Sequence, residues 1–120
     1  MYTVIVEGRF FAVHRVDLGD GSVEPQHGHD WMVRVHFSRP ALSDAGLVID
    51  FAEAQSAMRS VIGPLEGTDL NTFTPLRGQN PTAEVMARYI FDCVAGLRLE
   101  LLRRVEVTES PGCVAAYEPS

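Results

Sequence analysis

The sequence predicts an α+β fold in which two amphipathic helices cover one face of a four-stranded antiparallel sheet. Three observations support this prediction. Two N-terminal segments alternate apolar and polar residues as strands do, two central segments repeat apolar residues at helical spacing, and two short alternating segments follow. The predicted order along the chain is therefore strand, strand, helix, helix, strand, strand.

The two N-terminal strands carry most of the histidines. The first strand is predicted over 2–13, with His14 at its end, and the second follows His27. Residues two apart on a strand point to the same face, so His27 and His29 are expected to lie side by side. His36 falls on the opposite face and is expected at the surface. The apolar positions that set this alternation are Trp31, Val33, Val35 and Phe37.

The two helices have recognisable starts. Asp50 and Glu53 form a capping-box pattern ahead of the first helix, and the Gly-Pro pair at 63–64 ends it. The second helix is expected to begin at Thr82, because the residue before Pro81 prefers an extended backbone. The apolar positions of the first helix are Phe51, Ala54, Met58, Val61 and Ile62. Those of the second are Val85, Met86, Tyr89, Ile90, Cys93, Val94 and Leu97.

Two strands complete the predicted sheet, over 104–109 and 114–118, with a tight turn at 111–112. Glu109 lies on the apolar face of the first of them, where an unpaired carboxylate is costly. It therefore either reaches water at the end of the strand or binds a partner. Two adjacent N–H donors of a planar heterocycle would be such a partner.

Composition narrows the functional classes. The chain has 120 residues, 46% of them hydrophobic, and fits one domain over 1–120. No apolar run is long enough to cross a bilayer, and the N-terminus lacks the pattern of a signal peptide. Cys93 and Cys113 have no metal-binding spacing, so a reduced, cytoplasmic protein is expected. The net charge of -6 argues against nucleic acid as a partner.

The histidines are the strongest chemical signal. His27 and His29 flank Gly28, and His14 at the end of the preceding strand could supply a third nitrogen. Three neutral imidazoles with one position left open are typical of a catalytic zinc site. Paired surface histidines are also common, so the spacing alone leaves both interpretations open.

Six motifs occur in an order that extends over nearly the whole chain. They are Phe10–His14, His27–His29, Gly46–Phe51, Asp69–Asn71, Asn80–Glu84 and Thr108–Glu109. Together they resemble the 6-pyruvoyl-tetrahydropterin synthase and 6-carboxytetrahydropterin synthase family. The resemblance implies the tunnel fold, in which three subunits join their sheets into a β-barrel and two such rings form a homohexamer. It also implies active sites at subunit interfaces.

The resemblance implies roles for individual residues. The zinc ligands it implies are His14, His27 and His29. Glu109, next to Thr108, matches the residue that anchors the pterin ring, and Thr82 matches a pterin-contacting threonine from a neighbouring subunit. Thr82 is an equally good N-cap for the second helix. In these enzymes zinc orients the side chain of dihydroneopterin triphosphate, and a cysteine with an aspartate–histidine pair moves its protons.

The chain departs from the family at the proton-moving positions. Val23 stands where the cysteine is expected, and Glu66 and Gly67 stand where the aspartate and histidine are expected. Neither valine nor glycine can transfer a proton, so the usual acid–base route is lost. Glu24, one residue from the cysteine position, is a candidate replacement. An offset of one residue on a strand or tight loop nevertheless turns a side chain away.

Three functions remain open from the sequence. The first is a pterin-like ligand pocket without the synthase reaction. The second is an active zinc-dependent lyase with relocated acid–base groups, drawn from Glu24, Glu66, Asp69 or Cys113. Cys113 is otherwise expected to be a half-buried core residue. The third is a hexameric scaffold with a vestigial pocket. Loss of the proton-moving residues also leaves open whether zinc is bound.

Overall fold

The computed structural model describes residues 1–98 and 100–120, and its elements follow the predicted order. The strands and helices are β1 (Tyr2–His14), β2 (His27–Arg39), α1 (Phe51–Ile62), β3 (Thr68–Asp69), α2 (Ala83–Arg98), β4 (Leu102–Ser110) and β5 (Cys113–Tyr117). Both helices pack against the sheet, so the α+β class is confirmed. None of the helices in the described part of the chain is long and apolar enough to span a membrane.

The sheet has five strands in the order β3-β1-β2-β4-β5, so the predicted four-stranded antiparallel sheet was one strand short. The additional strand β3 runs parallel to β1 and pairs with it at only two positions. The Gly67 N–H donates to the Phe11 carbonyl over 2.7 Å, and the Leu70 N–H to the Val13 carbonyl over 2.9 Å. A strand of two residues shows no alternation, which is why the sequence pattern missed it.

The register between β1 and β2 determines where the histidines meet. His14 lies opposite His27, and Ala12 lies opposite His29. The pairing continues without a shift to Tyr2 and Arg39 at the far end. Since directly opposed residues project to the same side of a sheet, all three histidines lie on one face at one end of this hairpin.

Helix α1 lies on the sheet across Gly8. A Cβ atom at Gly8 would lie 2.8 Å from Met58 Cε and 2.8 Å from Ile62 Cδ1, so a larger residue there would displace these side chains of the helix. The Asp50 carboxylate accepts a hydrogen bond from the Ala52 N–H over 2.7 Å, which confirms the predicted cap. Phe51 was expected in the core and is 63% exposed, because it lies at the first position of the helix.

Helix α2 begins one residue after Thr82, whose hydroxyl accepts from the Val85 N–H over 3.1 Å. Cys93 packs against the core as predicted. Leu97, in the last turn of the helix, does not, and its side chain is 54% exposed.

The other face of the sheet is lined by cross-strand ion pairs. Arg34 Nε lies 3.4 Å from a Glu7 carboxylate oxygen, and His36 Nε2 lies 2.8 Å from one of Glu106. His36 is thus on the face opposite to His27, as predicted. Its side chain is only 15% exposed, with the Glu106 side chain of β4 lying against it.

Candidate metal centre and ligand cleft

Four side chains converge at the end of the β1–β2 hairpin. One ligand atom from each of His14, His27, His29 and Glu109 lies within 4.8 Å of the others. The centroids of the three imidazole rings are 4.7, 5.2 and 4.7 Å apart, and every pair of rings is close to perpendicular. The rings therefore face a common point instead of stacking on one another.

Two of the rings are oriented by backbone carbonyls. His14 Nδ1 lies 2.8 Å from the Pro81 oxygen, and His27 Nδ1 lies 2.7 Å from the Pro25 oxygen. A carbonyl only accepts hydrogen bonds, so in both residues Nδ1 carries the proton and Nε2 keeps its lone pair. This is the arrangement that orients metal-binding histidines, in which one nitrogen donates to a fixed acceptor and the other binds the ion.

One nitrogen that faces the centre lacks a protein partner. His14 is fully buried, and its Nε2 has no hydrogen-bond partner among the described residues. The buried Nε2 of His29 makes no hydrogen bond either, although the Glu109 carboxylate lies 3.4 Å from it. Leaving a buried polar atom unpaired typically costs about 1–3 kcal/mol. A metal ion would relieve this cost at both nitrogens, so the residues present fit a metal.

Glu109 joins the cluster from β4. Its Oε1 lies 3.4 Å from His29 Nε2, and its side chain is 29% exposed. Burial lowers the pKa of His29, the Glu109 charge partly opposes this, and the other two histidines add to the lowering. A low pKa keeps the imidazole neutral, which is the form that binds metals. Three imidazoles and a carboxylate are a donor set typical of zinc.

Glu109 also borders two cavities. The larger, of about 530 Å³, lies on one side of the carboxylate and is lined by Gly28, His29, Asp30, Met32 and Thr108–Pro111. The smaller, of about 230 Å³, is lined by Ala83, Glu84, Glu109, Cys113, Val114 and Ala115. The structure therefore places Thr108 in the wall of the larger cavity. Thr82 directly precedes the wall of the smaller one and caps α2.

Glu24 faces the cluster, contrary to the expectation from its offset. Its Oε1 lies 4.0 Å from His27 Nε2. Glu24 lies in the loop before β2, and in this loop the offset of one residue does not turn its side chain away from His27. Val23, at the expected cysteine position, is 57% exposed. Glu24 therefore brings a carboxylate from this loop next to a histidine of the cluster.

The other candidate acid–base groups have structural partners. Glu66 accepts from the Phe11 N–H at 3.3 and 3.4 Å. Asp69 accepts from the Gln26 side chain at 3.0 Å and from the Asn71 N–H at 2.9 Å. Both carboxylates thus stabilise the connection between β3 and the strands around it.

Two further positions bear on the proton-moving residues. Gly67, at the expected histidine position, has a φ of 73°, a conformation that would be strained for histidine. Cys113 was expected to be half-buried and is exposed, because β5 lies at the edge of the sheet.

Asn71 and Asn80 hold the segment after His14 in place, a role that their motifs alone did not indicate. Asn71 accepts from the Arg15 N–H at 2.8 Å and donates to the Arg15 carbonyl at 2.9 Å. Asn80 makes the same pair of bonds with Asp17, at 3.0 and 2.9 Å. Each amide therefore satisfies a backbone donor and acceptor as a neighbouring strand would. In the sequence, the signal for these two residues was their position in the motifs Asp69–Asn71 and Asn80–Glu84.

Known proteins resemble this chain over nearly its whole length. A sequence model of the 6-pyruvoyl tetrahydropterin synthase family matches residues 3–120. The chain is 28% identical over 124 residues to a 6-carboxy-5,6,7,8-tetrahydropterin synthase of Synechocystis sp., covering 98% of this chain and 93% of the relative.

Solved structures show the same fold. The chain superposes on 6-pyruvoyl tetrahydropterin synthase of Caenorhabditis elegans with a TM-score of 0.86 and 20% identity, covering 99% and 96% of the two chains. A Plasmodium vivax 6-pyruvoyltetrahydropterin synthase, solved as a variant with a catalytic glutamate replaced by alanine, matches with a TM-score of 0.78 and 18% identity, covering 99% and 98%. The family resemblance read from the sequence is confirmed, and the chain belongs to the 6-pyruvoyl tetrahydropterin synthase family.

Proposed function

We propose that this protein is a zinc-dependent lyase that acts on the side chain of a reduced pterin, with Glu24 as its proton-accepting group. The observation that carries the proposal is the 4.0 Å approach of the Glu24 carboxylate to His27 Nε2. It places a base beside the cluster although the cysteine position holds Val23. The catalytic glutamate of the Plasmodium vivax relative supports a carboxylate in this role.

The zinc site consists of His14, His27 and His29, with Glu109 next to it. Zinc bound there would polarise oxygen atoms of the ligand and make neighbouring C–H groups more acidic. The buried, unpaired nitrogens of His14 and His29 support this assignment. The pair of carbonyl-bound Nδ1 atoms supports it as well.

The pterin ring is assigned to the cavity beside Glu109. A carboxylate that accepts two N–H groups of an amino-pyrimidine edge forms charge-assisted hydrogen bonds, which are among the strongest in proteins. Thr108 and Met32 line the same cavity and would contact the ring. Glu109 is then an anchor for the ligand, and the zinc keeps an open position.

The reaction expected of Glu24 is an elimination. Its carboxylate accepts a proton from a carbon of the pterin side chain. The electron pair left on that carbon forms a double bond as the carbon–oxygen bond to triphosphate breaks, and triphosphate leaves with the other pair. The natural substrate of this type is dihydroneopterin triphosphate.

The proposal includes a homohexamer built as a dimer of trimers. Within the protomer, β5 is the outermost strand, and β1 pairs with β3 at only two positions. These exposed edges favour pairing with other copies of the chain. In such an assembly Thr82 of a neighbouring subunit would complete the pterin site.

The test is the rate of triphosphate release from dihydroneopterin triphosphate by the zinc-supplemented protein. Replacing Glu24 by Gln should lower this rate by about 10²–10⁴-fold. The matched control is Glu7→Gln, a carboxylate on the opposite face of the sheet that pairs with Arg34, which should leave it unchanged. Equal rates for wild type and Glu24→Gln would contradict the role of Glu24. Glu66→Gln and Cys113→Ser would then be tested in the same way.

A second candidate is a pterin-binding protein that has lost the synthase reaction. Gly67 stands at the expected histidine position, in a backbone conformation that would be strained for histidine. The second proton-moving group of the family is therefore missing, which favours this alternative. It predicts that a stable pterin binds while the triphosphate remains intact. In calorimetric titration, Glu109→Gln should weaken pterin binding by about 1.5–3 kcal/mol in either case.

A further inference from the structure

His29 differs from the other two histidines in how its ring is held. His14 and His27 each donate to a backbone carbonyl. Nε2 of His29 makes no hydrogen bond with another described residue, Glu109 approaches it only to 3.4 Å, and no backbone carbonyl holds the ring as in the other two histidines. Most metal-binding histidines have such a hydrogen bond to fix the ring plane. A packing contact is the other means by which the protein can fix the plane of this ring.

Trp31 provides that contact. Its ring centroid lies 5.5 Å from that of His29, and the two planes cross at 88°. It also lies 4.9 Å from His14, at 79°. Edge-to-face packing at these distances is the favoured geometry for aromatic pairs. One indole thus touches two of the three rings of the cluster from the side of the protein core.

Trp31 is itself immobilised by its surroundings. It is fully buried, and it stacks on Phe10 with a centroid distance of 5.9 Å and an interplanar angle of 3°. Its indole N–H donates to the Ala12 carbonyl over 3.2 Å. Ala12 is directly opposite His29 in the sheet, and its methyl group leaves space for the indole to reach His14.

From these contacts we infer that Trp31 is a positioning residue of the metal site, whose indole fixes the ring planes of His29 and His14. The inference rests on the proposed zinc site and makes no claim about the reaction. It predicts that the flat, rigid shape of the side chain at this position matters for the metal and not only for the stability of the core.

The test is zinc affinity of the purified protein, measured by competition with a chromophoric chelator, together with the visible spectrum of the cobalt-substituted form. Trp31→Leu, which keeps an apolar side chain without a ring, should weaken zinc binding by about 10–100-fold. It should also change the cobalt spectrum, because the nitrogen ligands shift. Trp31→Phe retains an aromatic ring and should bind zinc close to the wild-type value.

Phe37→Leu is the matched control. Phe37 is also a fully buried aromatic residue of β2, but it lies toward the end of the strand away from the histidines. This variant should lose stability without change in zinc affinity or in the cobalt spectrum. Comparable weakening of zinc binding by Phe37→Leu and Trp31→Leu would overturn the inference, because it would show a general effect of core stability.

A second measurement does not depend on a variant that folds. Trp31 is the only tryptophan of the chain, so its fluorescence reports on this position alone. Cobalt bound at the cluster should quench this emission at one equivalent, and zinc should displace cobalt and restore it. An emission that does not respond to bound cobalt would overturn the contact between indole and site. Absence of stoichiometric zinc binding by the wild type would instead contradict the proposed function.

Discussion

His14 and Pro81 are joined by a 2.8 Å hydrogen bond between the imidazole Nδ1–H and the backbone carbonyl. The bond links the first histidine of the cluster to the segment that begins α2. Asn80, on one side of Pro81, pairs with both backbone groups of Asp17. Thr82, on the other side, caps the helix. Three successive residues thus connect the end of β1, the histidine cluster and α2.

Replacing Asn80 by aspartate should destabilise the protein. Asn80→Asp keeps the acceptor for the Asp17 N–H, but it loses the donor to the Asp17 carbonyl and brings a negative charge near that oxygen. We expect a loss of about 1–2 kcal/mol in the free energy of unfolding, measured by urea denaturation. Asn71→Asp, with the same bonds to Arg15, should give a similar loss. Unchanged stability in both variants would contradict this account.

The effect of a substitution at Gly28 on stability should depend on the side chain of Phe11. A Cβ atom at Gly28 would lie 2.5 Å from Cζ of Phe11, on the face of the sheet opposite to His27 and His29. Gly28→Ala should therefore destabilise the protein by about 1–2 kcal/mol. Because the Phe11 side chain is 43% exposed, its replacement by alanine should leave the protein folded. In a Phe11→Ala background the same substitution should be nearly neutral, and additive effects in this double-mutant cycle would refute the steric explanation.

The pairing of Glu118 with Arg104 should make stability depend on pH. Hydrogen bonding to Arg104 lowers the pKa of Glu118, with further lowering from the Arg103 charge. A group whose pKa is lowered by folding stabilises the protein above its unfolded pKa, and this contribution is lost as the pH falls through the folded pKa. The difference in melting temperature between wild type and Glu118→Gln should therefore be largest near neutral pH and disappear in acid. A difference that persists at low pH would exclude the ionised pair as its cause.

The sequence was sufficient for the fold and for much of the site because those features are local. Alternation placed His27 and His29 on one face, and the capping residues Asp50 and Thr82 located both helix starts. Other features depend on where distant segments meet. The orientation of Glu24 follows from a loop, and β3 is too short to show a pattern. The relative orientation of the imidazole rings in the cluster also depends on how distant segments meet.

The contact between Trp31 and two histidines shows this limit most clearly. Alternation predicted that Trp31 is buried, and it is. It could not predict that the indole would reach His14 on the neighbouring strand, because that requires the register in which Ala12 faces His29. Strand pairing, which a single sequence does not specify, therefore decides which core residue supports the site.

Zinc should stabilise the folded protein through the histidine cluster. A ligand that binds only the native state adds about 2.7 kcal/mol at a free concentration 100-fold above its Kd, so chelation should lower the melting temperature. His14→Ala should remove this dependence, because it deletes the fully buried ligand whose Nε2 has no other partner among the described residues. The control is His36→Ala, which alters a histidine on the opposite face that pairs with Glu106 and should leave the zinc effect intact. Equal stabilisation of wild type and His14→Ala by zinc would contradict the assignment of His14 as a ligand.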